Sequence, residues 1–312
     1  MRRGHEVTLF ASGDSQTAAR LSSTFSKNIY DVLGRFDWSN NSYNLLHARA
    51  CFARAAEFDV IHNHLGAEAL LFAPFVQTPT ITTIHSSLPP DLPELAEQVK
   101  GERFVSISNA QRKVTPYLNW IDTVYHGLDE KKFTLSEGAG EYLLFVGTLG
   151  PTKGVDVAVR IARKLNKKLI IVGDRRPEFE DFLSKEVLPY VDGARIELRG
   201  EVAEDEKIRL YQGAQAFVFP VRWSEAFGLV VAESILCGTP VAAFNNGSLP
   251  EIVDDGVTGF TVPGDNEDAL AQAVERAIAL NRSKVGAQAR KRFTVSAMAD
   301  GYERVYRRAI GA

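Results

Sequence analysis

The sequence predicts an α/β protein made of two doubly wound domains that face each other across a cleft. Three observations favour this fold class. Short apolar strands alternate with amphipathic helical segments along the chain, which is the pattern of parallel sheets covered by helices on both faces. A polar segment with glycines interrupts this alternation near the middle of the chain. The length of 312 residues suits two domains of ordinary size.

Strands are predicted on both sides of the polar interruption. Those before it are His5–Ala11, Asp59–His62, Thr80–His85, Phe104–Ile107 and Thr123–Tyr125. Those after it are Tyr142–Val146, Lys168–Val172, Arg195–Leu198, Ala216–Phe219, Pro240–Phe244 and Gly259–Val262. Apolar residues at helical spacing predict helices between them, for example over Asp156–Leu165 and Asp268–Leu280.

The polar interruption, Asp129–Glu141, is interpreted as an interdomain linker. We expect one domain over residues 1–133, a second over residues 134–295, and a final helix over residues 296–312 that packs back towards the first domain. The opening residues read as the end of a helix that runs into a strand. We therefore expect the N-terminal domain to be incomplete and to lack its first strand, loop and helix, about 30 residues.

Composition and charge argue against several kinds of partner. The net charge of −3 gives no electrostatic reason for binding nucleic acid, and none is predicted. No apolar run is long enough to span a bilayer, although a peripheral membrane contact stays open. Cys51 and Cys237 lie far apart and form no metal-type spacing, so they fit a reducing compartment better than a disulfide scaffold. We expect a cytoplasmic protein.

The segment Glu225–Glu233 is the most informative part of the chain. Glu225 follows a predicted strand, and Glu233 falls on an apolar helix with only Ser234 for polar company. A buried carboxylate is costly without hydrogen-bond donors. Because no basic residue lies within a helical turn of Glu233, a hydroxyl-rich ligand is the expected donor. The alternative is structural: Glu225 is an acid favoured by the helix dipole, and Glu233 is partly exposed.

A second group of residues suits an anion. A helix beginning at Phe227 and Gly228 leaves its first amides free. Lys153 lies in a glycine-bearing loop between a strand and a helix, which brings backbone and positive charge to a diphosphate. We expect phosphate on these groups and the carboxylates on neutral sugar hydroxyls. The loop matches neither the P-loop nor the dinucleotide pattern, so a solvated Lys153 in a plain turn is the alternative.

Other polar residues carry weaker signals. His85 ends a predicted strand, where it either faces the cleft or packs against the sheet edge. His62 and His64 point the same way along a strand, but no third ligand is evident and no metal site is predicted. The segment Gly247–Val253 either closes over a ligand or is a tight connection. The basic run 282–292 is expected on a solvated helix face.

With these residues in view, the chain resembles the retaining GT-B glycosyltransferases of family 4, especially the avilamycin-type branch. Glu225–Glu233 is similar to the spaced-glutamate motif of that family. The resemblance is dense over Glu141–Val262 and thinner over Gly4–Asp129. Further matching segments are Pro220–Glu225, Cys237–Pro240, Leu249–Val253, Asp255–Phe260, Gly4–Val7, Thr83–His85, Ser106–Asn109 and Tyr125–Asp129. It implies the GT-B fold, with two Rossmann-like domains of which the first receives the acceptor and the second binds the nucleotide sugar.

The resemblance also implies roles for individual residues. Glu225 would hold hydroxyls of the donor sugar, and Glu233 would hold the ribose hydroxyls of the nucleotide. Lys153 would neutralise the diphosphate together with the amides of Phe227 and Gly228. His85 would contact the transferred sugar or the acceptor near the reaction centre.

Four more residues complete the predicted donor site: Gly147, Thr148, Arg222 and Leu229. The family usually has an arginine directly after the glycine at 147, where this chain has Thr148. Arg222 or Arg175 is the expected substitute for its charge.

The activity that the resemblance implies is a hexosyl transfer with retention at the anomeric carbon. The donor would be a UDP-, GDP- or ADP-sugar, the acceptor a hydroxyl of a sugar, lipid or small molecule, and no cofactor or metal would be required. Two alternatives stay open: a nucleotide-sugar-binding remnant without activity, suggested by Thr148 and the short N-terminus, and a GT-B nucleotide-sugar epimerase. A homodimer is also open, since an unpaired sheet edge favours association.

Overall fold

The computed structural model describes residues 1–33, 40–86 and 97–311. Its strands are β1 Thr8–Phe10, β2 Arg20–Ser22, β3 Ile61–Asn63, β4 Thr80–Thr83, β5 Arg103–Ser106, β6 Trp120–Thr123, β7 Tyr142–Val146, β8 Leu169–Val172, β9 Ile196–Arg199, β10 Ala214–Phe219, β11 Val241–Phe244 and β12 Gly259–Val262. The predicted strands Tyr142–Val146 and Gly259–Val262 have the observed bounds. The predicted strand Thr123–Tyr125 has the wrong bounds, because the observed strand begins at Trp120, which pairs with Phe104.

The strands form parallel sheets in each half of the chain. In the N-terminal half (residues 1–128) the order is β3-β4-β5-β6, with β1 and β2 paired separately. In the C-terminal half (residues 129–294) the order is β12-β11-β10-β7-β8-β9. Both orders require crossover connections, which the helices supply.

The helices among the described residues lie between the strands in sequence or follow the last strand. They are α1 Ile29–Leu33, α2 Asn40–Phe52, α3 Ala67–Leu70, α4 Asn109–Val114, α5 Val155–Lys164, α6 Glu180–Glu186, α7 Glu204–Gly213, α8 Leu229–Leu236, α9 Leu249–Ile252, α10 Glu267–Ile278, α11 Arg282–Arg290 and α12 Val295–Ile310. Short 3-10 turns add Pro151–Lys153 and Pro177–Phe179, among others. Asn266, Asn281 and Thr294 cap the starts of α10, α11 and α12 with their side chains.

Strand β7 shows why the central strands read as continuous apolar runs. Its residues alternate between the two faces of the six-stranded sheet. Leu144 and Val146 enter the core on one face, with α8 and α11. Leu143 and Phe145 enter the core on the other, with α5 and α10. A parallel sheet that is covered on both faces leaves no solvent side for polar residues.

Helix α12 packs on the sheet of the N-terminal half although it follows the C-terminal half in sequence. Its residues Tyr302, Val305 and Ala309 share a core with Ile81, Val105 and Val124. The polypeptide therefore crosses between the halves twice, once before β7 and once between α11 and α12.

The basic run 282–292 is only in part the solvated face that the sequence suggested: Lys284 and Lys291 are exposed, but the arginines are not. Arg282 is 8% exposed, and its guanidinium donates to backbone oxygens of Ser136 at 2.8 Å and Gln212 at 2.9 Å. Arg290 donates to the last carbonyl of α8 at 3.1 Å. These side chains bind backbone carbonyl groups, including those at helix ends, where carbonyl groups have no partner inside the helix. A local charge pattern does not reveal where such carbonyl groups will lie. Segment 129–141 is also held in place: the amide of Ser136 donates to the oxygen of Cys237 at 3.1 Å.

Candidate functional site

Glu225 and Lys153 form an ion pair at the carboxyl ends of β7 and β10. Lys153 Nζ lies 2.7 Å from Glu225 Oε2, and the side chains are 21% and 12% exposed. Trp223 Nε1 donates to the same oxygen at 3.0 Å, and its exposed ring lies 4.6 Å from the ammonium. The pair is therefore partly screened by solvent but sheltered by an indole. Sequence reasoning had placed both residues in one site, and the structure brings them together.

Gly154 explains why the Lys153 loop reaches Glu225. It has a left-handed φ of +76° at the start of α5, and a Cβ there would lie 2.1 Å from the backbone oxygen of Pro220. Without a side chain, the β7–α5 loop rests directly on the chain that leaves β10. This close approach places Lys153 over the loop that carries Glu225.

The start of α8 forms the next wall of the site. Gly228 caps this helix with a φ of +85°, and its carbonyl accepts the first helical hydrogen bonds, from Val231 N at 2.9 Å and Ala232 N at 3.2 Å, so the amides before Val231 have no acceptor within the helix. The ring of Phe227 is turned inwards, 2% exposed, whereas Leu229 is 44% exposed. Backbone amides and an exposed apolar side chain are thus what α8 offers to a ligand.

Gly147 and Thr148 lie where β7 ends, on the same side of the sheet. The amide of Gly147 already donates to Val172 O at 3.0 Å, within the sheet. Thr148 is partly exposed, and its oxygen accepts from the Gly150 amide at 2.9 Å. Any contact of Gly147 with a ligand would therefore use close backbone approach instead of its amide.

Glu233 corrects one prediction, because its carboxylate already has hydrogen-bond donors in the structure. The residue is 7% exposed. Lys207 Nζ lies 2.9 Å from Oε1, and Tyr211 Oη donates to Oε2 at 2.9 Å. Both donors come from α7, distant in sequence. Burial of Glu233 therefore does not by itself require a ligand, although each oxygen retains capacity for a further hydrogen bond.

The two arginines expected to replace the family's arginine are engaged elsewhere. Arg222 donates to both carboxylate oxygens of Asp156, at 2.9 and 2.8 Å. Burial alone would raise the pKa of Asp156, but the guanidiniums of Arg222 and Arg160 outweigh it and hold that pKa below its ordinary value. Arg175 is paired with Glu180. Either arginine would have to exchange partners to reach a phosphate.

A row of histidines lines the N-terminal half of the cleft and ends at Phe227. His64 Nδ1 lies 2.8 Å from His85 Nε2, and His85 stacks on His126 with centroids 5.3 Å apart. His126 in turn meets the ring of Phe227 edge-on at 4.9 Å. Sequence reasoning missed His126, which only the fold brings next to His85. The row thus connects the exposed His85 to Phe227 in the C-terminal half.

Burial lowers the pKa of each of these imidazoles, and neighbouring histidines lower the pKa of His62, His64 and His126 further. Burial is the largest cause that lowers the pKa of His126, and the nearby His85 and His64 add to it. The pKa of His126 is lowered to about 4. His62 is held between Tyr306 Oη at 2.8 Å and Thr83 Oγ1 at 2.7 Å, and burial lowers its pKa well below the ordinary value. Within the described residues, no group of three or more histidine, cysteine or acidic side chains has metal-binding geometry.

Helix length and hydropathy give one further finding. Over the described ranges, none of the helices has the length and apolar character needed to cross a bilayer.

Comparison with known proteins matches both halves of the chain. Residues 129–292 match the family described as glycosyl transferases group 1, and residues 1–133 match glycosyltransferase family 4. A D-inositol 3-phosphate glycosyltransferase of Kribbella flavida is 30% identical over 298 residues, 75% of this chain and 68% of that protein. An uncharacterized glycosyltransferase of Methanocaldococcus jannaschii is 29% identical over 235 residues, 69% of this chain. The chain covers 64% of that archaeal protein, and 42% of related mycobacterial proteins.

Solved structures of low sequence identity share the fold. AviGT4, a glycosyltransferase involved in avilamycin A biosynthesis, superposes with a TM-score of 0.73 at 22% identity, over 100% of this chain and 86% of its own. Sucrose-phosphate synthase from Thermosynechococcus elongatus gives 0.71 at 21% identity, over 86% and 77%. Anabaena HepE in complex with UDP and glucose gives 0.71 at 18% identity, over 92% and 86%. The predicted GT-B architecture is confirmed.

Proposed function

Because the chain belongs to the glycosyl transferases of group 1, we propose that it transfers a sugar, with retention, from a nucleotide diphosphate sugar to a hydroxyl acceptor. The observation that carries this proposal is the Lys153–Glu225 pair, which lies at the carboxyl ends of two central strands and beside the start of α8. Ligands of open parallel sheets bind at this edge.

The positive and negative groups of the site would bind different parts of the donor. A diphosphate would lie on the amides of Gly228 and Leu229, where the helix dipole favours an anion. Lys153 would turn from Glu225 to the phosphates, since an ammonium on a flexible stem can change partners. Glu225 would then accept hydrogen bonds from hydroxyls of the sugar. The ion pair between Lys153 and Glu225 would thus be replaced by two contacts with the donor.

Glu233 would bind the nucleotide end of the donor, and His85 would lie near the reaction centre. The Glu233 oxygens, already oriented by Lys207 and Tyr211, would accept hydrogen bonds from the ribose. His85 would face the acceptor hydroxyl or the transferred sugar from the N-terminal half. The ring nitrogen of His85 that does not contact His64 can accept a hydrogen bond or donate one, depending on the tautomer.

Catalysis in this scheme comes from position and charge. The acceptor oxygen would attack the anomeric carbon from the face that the diphosphate leaves, within a close ion pair and without a covalent intermediate on the protein. The bond to the diphosphate oxygen breaks, and that oxygen takes the proton of the acceptor hydroxyl. Lys153 and the α8 amides would stabilise the departing diphosphate, the largest charge that develops. The two halves would close over the substrates and align them. UDP-glucose is the first donor to test, because HepE was crystallised with it.

The test is donor turnover, measured as nucleotide release with a panel of hydroxyl acceptors. We expect Lys153→Ala and Glu225→Ala to lose at least about 100-fold in turnover while they remain folded. Lys168→Ala is the matched control, since its Nζ also pairs with a glutamate, Glu197 at 3.2 Å, but at the opposite edge of the same sheet. Wild-type rates in both site variants would contradict the proposal.

A second candidate is a protein that binds nucleotide sugars without turning them over. The observation that favours it is that Arg222 is paired with Asp156 and Arg175 with Glu180, so neither arginine is available to an expected diphosphate without a change of partner. This candidate requires donor binding by calorimetry together with no nucleotide release in any acceptor mixture. Steady release that depends on acceptor would exclude it.

A further inference from the structure

Glu251 in the C-terminal half accepts hydrogen bonds from the N-terminal half. Its Oε1 accepts from the amide and the side-chain Nδ2 of Asn109, both at 2.8 Å, and from Tyr125 Oη at 2.6 Å. Its Oε2 accepts from the amide of Ala110 at 3.1 Å. The carboxylate thereby satisfies the first amides of α4, which have no acceptor inside their own helix. Hydrogen bonds to an ionised acceptor are stronger than neutral ones.

Ser108 makes a second link between the halves next to Glu251. This fully buried hydroxyl accepts from the Gln111 amide at 3.0 Å and so caps α4. Its own proton goes to the backbone oxygen of Ala226 at 2.7 Å. Ala226 follows Glu225 directly in sequence, so α4 is tied to the loop that carries the proposed sugar-binding carboxylate.

From α4 the connection continues to His85. The buried side chain of Gln111 donates through Nε2 to Ile84 O at 3.1 Å and to Ser86 O at 2.8 Å. These two carbonyls flank His85 on either side. The amide group of Gln111 therefore fixes the backbone at His85 relative to α4.

The other end of the connection holds Glu225. Ser248 lies three residues before Glu251, and its amide donates to Glu225 O at 2.9 Å. Its buried hydroxyl donates to Phe227 O at 2.9 Å. The segment 247–251 thus holds the Glu225 loop at one end and the start of α4 at the other.

We propose that Glu251 is a positioning residue that fixes the His85 loop opposite Glu225 across the cleft. The proposal rests on the proposed function, in which these two residues face opposite sides of the reaction centre. Glu251 does not contact the reacting groups itself. It acts through α4 and Gln111 on one side and through the 247–251 segment on the other.

The distinguishing consequence is a split between binding and turnover. The nucleotide site proposed above lies in the C-terminal half, so loss of Glu251 should change nucleotide affinity by no more than about twofold. Misalignment of the two halves by an ångström should lower kcat by about 10- to 100-fold. Residues that merely stabilise the fold would not separate these two quantities.

The experiment compares Glu251→Ala with Asp192→Asn. Asp192 is a suitable control because its carboxylate also accepts several backbone amides, from Ala194, Arg195 and Ile196, but within one half. Hydrogen exchange, UDP affinity and kcat are measured for each. In Glu251→Ala we expect faster exchange in peptides covering α4 and residues 84–86, unchanged UDP affinity and reduced kcat. The control should alter exchange only near residue 192.

Tyr125→Phe provides a milder variant that keeps the ring and removes one donor to Glu251, for use if Glu251→Ala does not fold. It should give a smaller increase in exchange at α4 and residues 84–86 and a smaller decrease in kcat, again with unchanged UDP affinity. Unchanged exchange in α4 and at residues 84–86 in the folded variants would overturn the proposal, as would an unchanged kcat in an active enzyme. If the wild-type protein shows no turnover, the proposed function fails separately, and the exchange data alone decide whether Glu251 couples the halves.

Discussion

Gly247→Ala should damage the site through the backbone of Glu225. Gly247 has a left-handed φ of +62°, a conformation that costs an L-residue about 1 kcal/mol. Its added Cβ would lie 2.2 Å from Glu225 O and 2.3 Å from Glu225 N, whereas real Cβ contacts stay beyond 3.0 Å. The Glu225 loop must therefore move by about 0.8 Å. Both obstructing atoms belong to the backbone, so no side-chain rotation relieves the contact.

We expect two measurable effects of this displacement. The free energy of unfolding in urea should fall by about 2–4 kcal/mol, which is the left-handed cost plus that of overpacking. Turnover should fall by about 100-fold, since a shift near 1 Å at a positioned group has that effect. Gly193→Ala is the matched control, because Gly193 has a φ of +73° and nothing within 4 Å of its Cβ. It should lose about 1 kcal/mol and keep its activity. Equal losses in the two variants would refute the reasoning.

Three further predictions concern the surroundings of the site. Lys207→Ala leaves the Glu233 carboxylate buried with one donor fewer, so urea unfolding should show a loss of about 1–3 kcal/mol, and Lys207→Arg should recover part of it. The unfolded chain protonates its histidines near pH 6.5, whereas His126 in the fold does so only near pH 4. Stability is therefore full above pH 6.5 and should fall towards pH 4, by at most ~1.4 kcal/mol per pH unit for each such histidine; an equal slope in His126→Phe would contradict this assignment. Trp223→Phe removes one donor from Glu225 and should lower turnover by about 3- to 10-fold without changing the melting temperature by more than about 2 °C; an unchanged rate would show that the indole N–H has no part in holding Glu225.

The central strands of the C-terminal half were predictable because burial of a strand determines the residue types within that strand. Strands buried on both faces must be apolar along their whole length, so Tyr142–Val146 is visible as a short run between turns. The pairing of Lys153 with Glu225 was also within reach, since both follow central strands and carboxyl ends share one edge. In the N-terminal half the signal is weaker: β2, Arg20–Ser22, has no apolar run and was not predicted.

The misses share a cause, which is contact between residues distant in sequence. The donors of Glu233 come from α7, 26 and 22 residues earlier in the chain, so inspection of neighbouring turns could not find them. Arg282 is buried because it binds carbonyl groups 68 and 70 residues away. From the sequence, Glu251 belongs to a tight connection or a closing loop, whereas its partners lie 126 to 142 residues away in the other half.

The most direct test of the account is the difference between UDP and UMP in a thermal-shift experiment on the wild-type protein and Lys153→Ala. The proposed donor site binds the second phosphate through Lys153 and the start of α8. UDP at 100 times its dissociation constant is therefore expected to add about 2.7 kcal/mol to wild-type stability, well above UMP at the same concentration. In Lys153→Ala the advantage of UDP should largely disappear. GDP, ADP and TDP, each beside its monophosphate, cover the other bases. If no diphosphate stabilises the wild-type protein more than its monophosphate, or if Lys153→Ala retains the full difference, the proposed donor site is wrong.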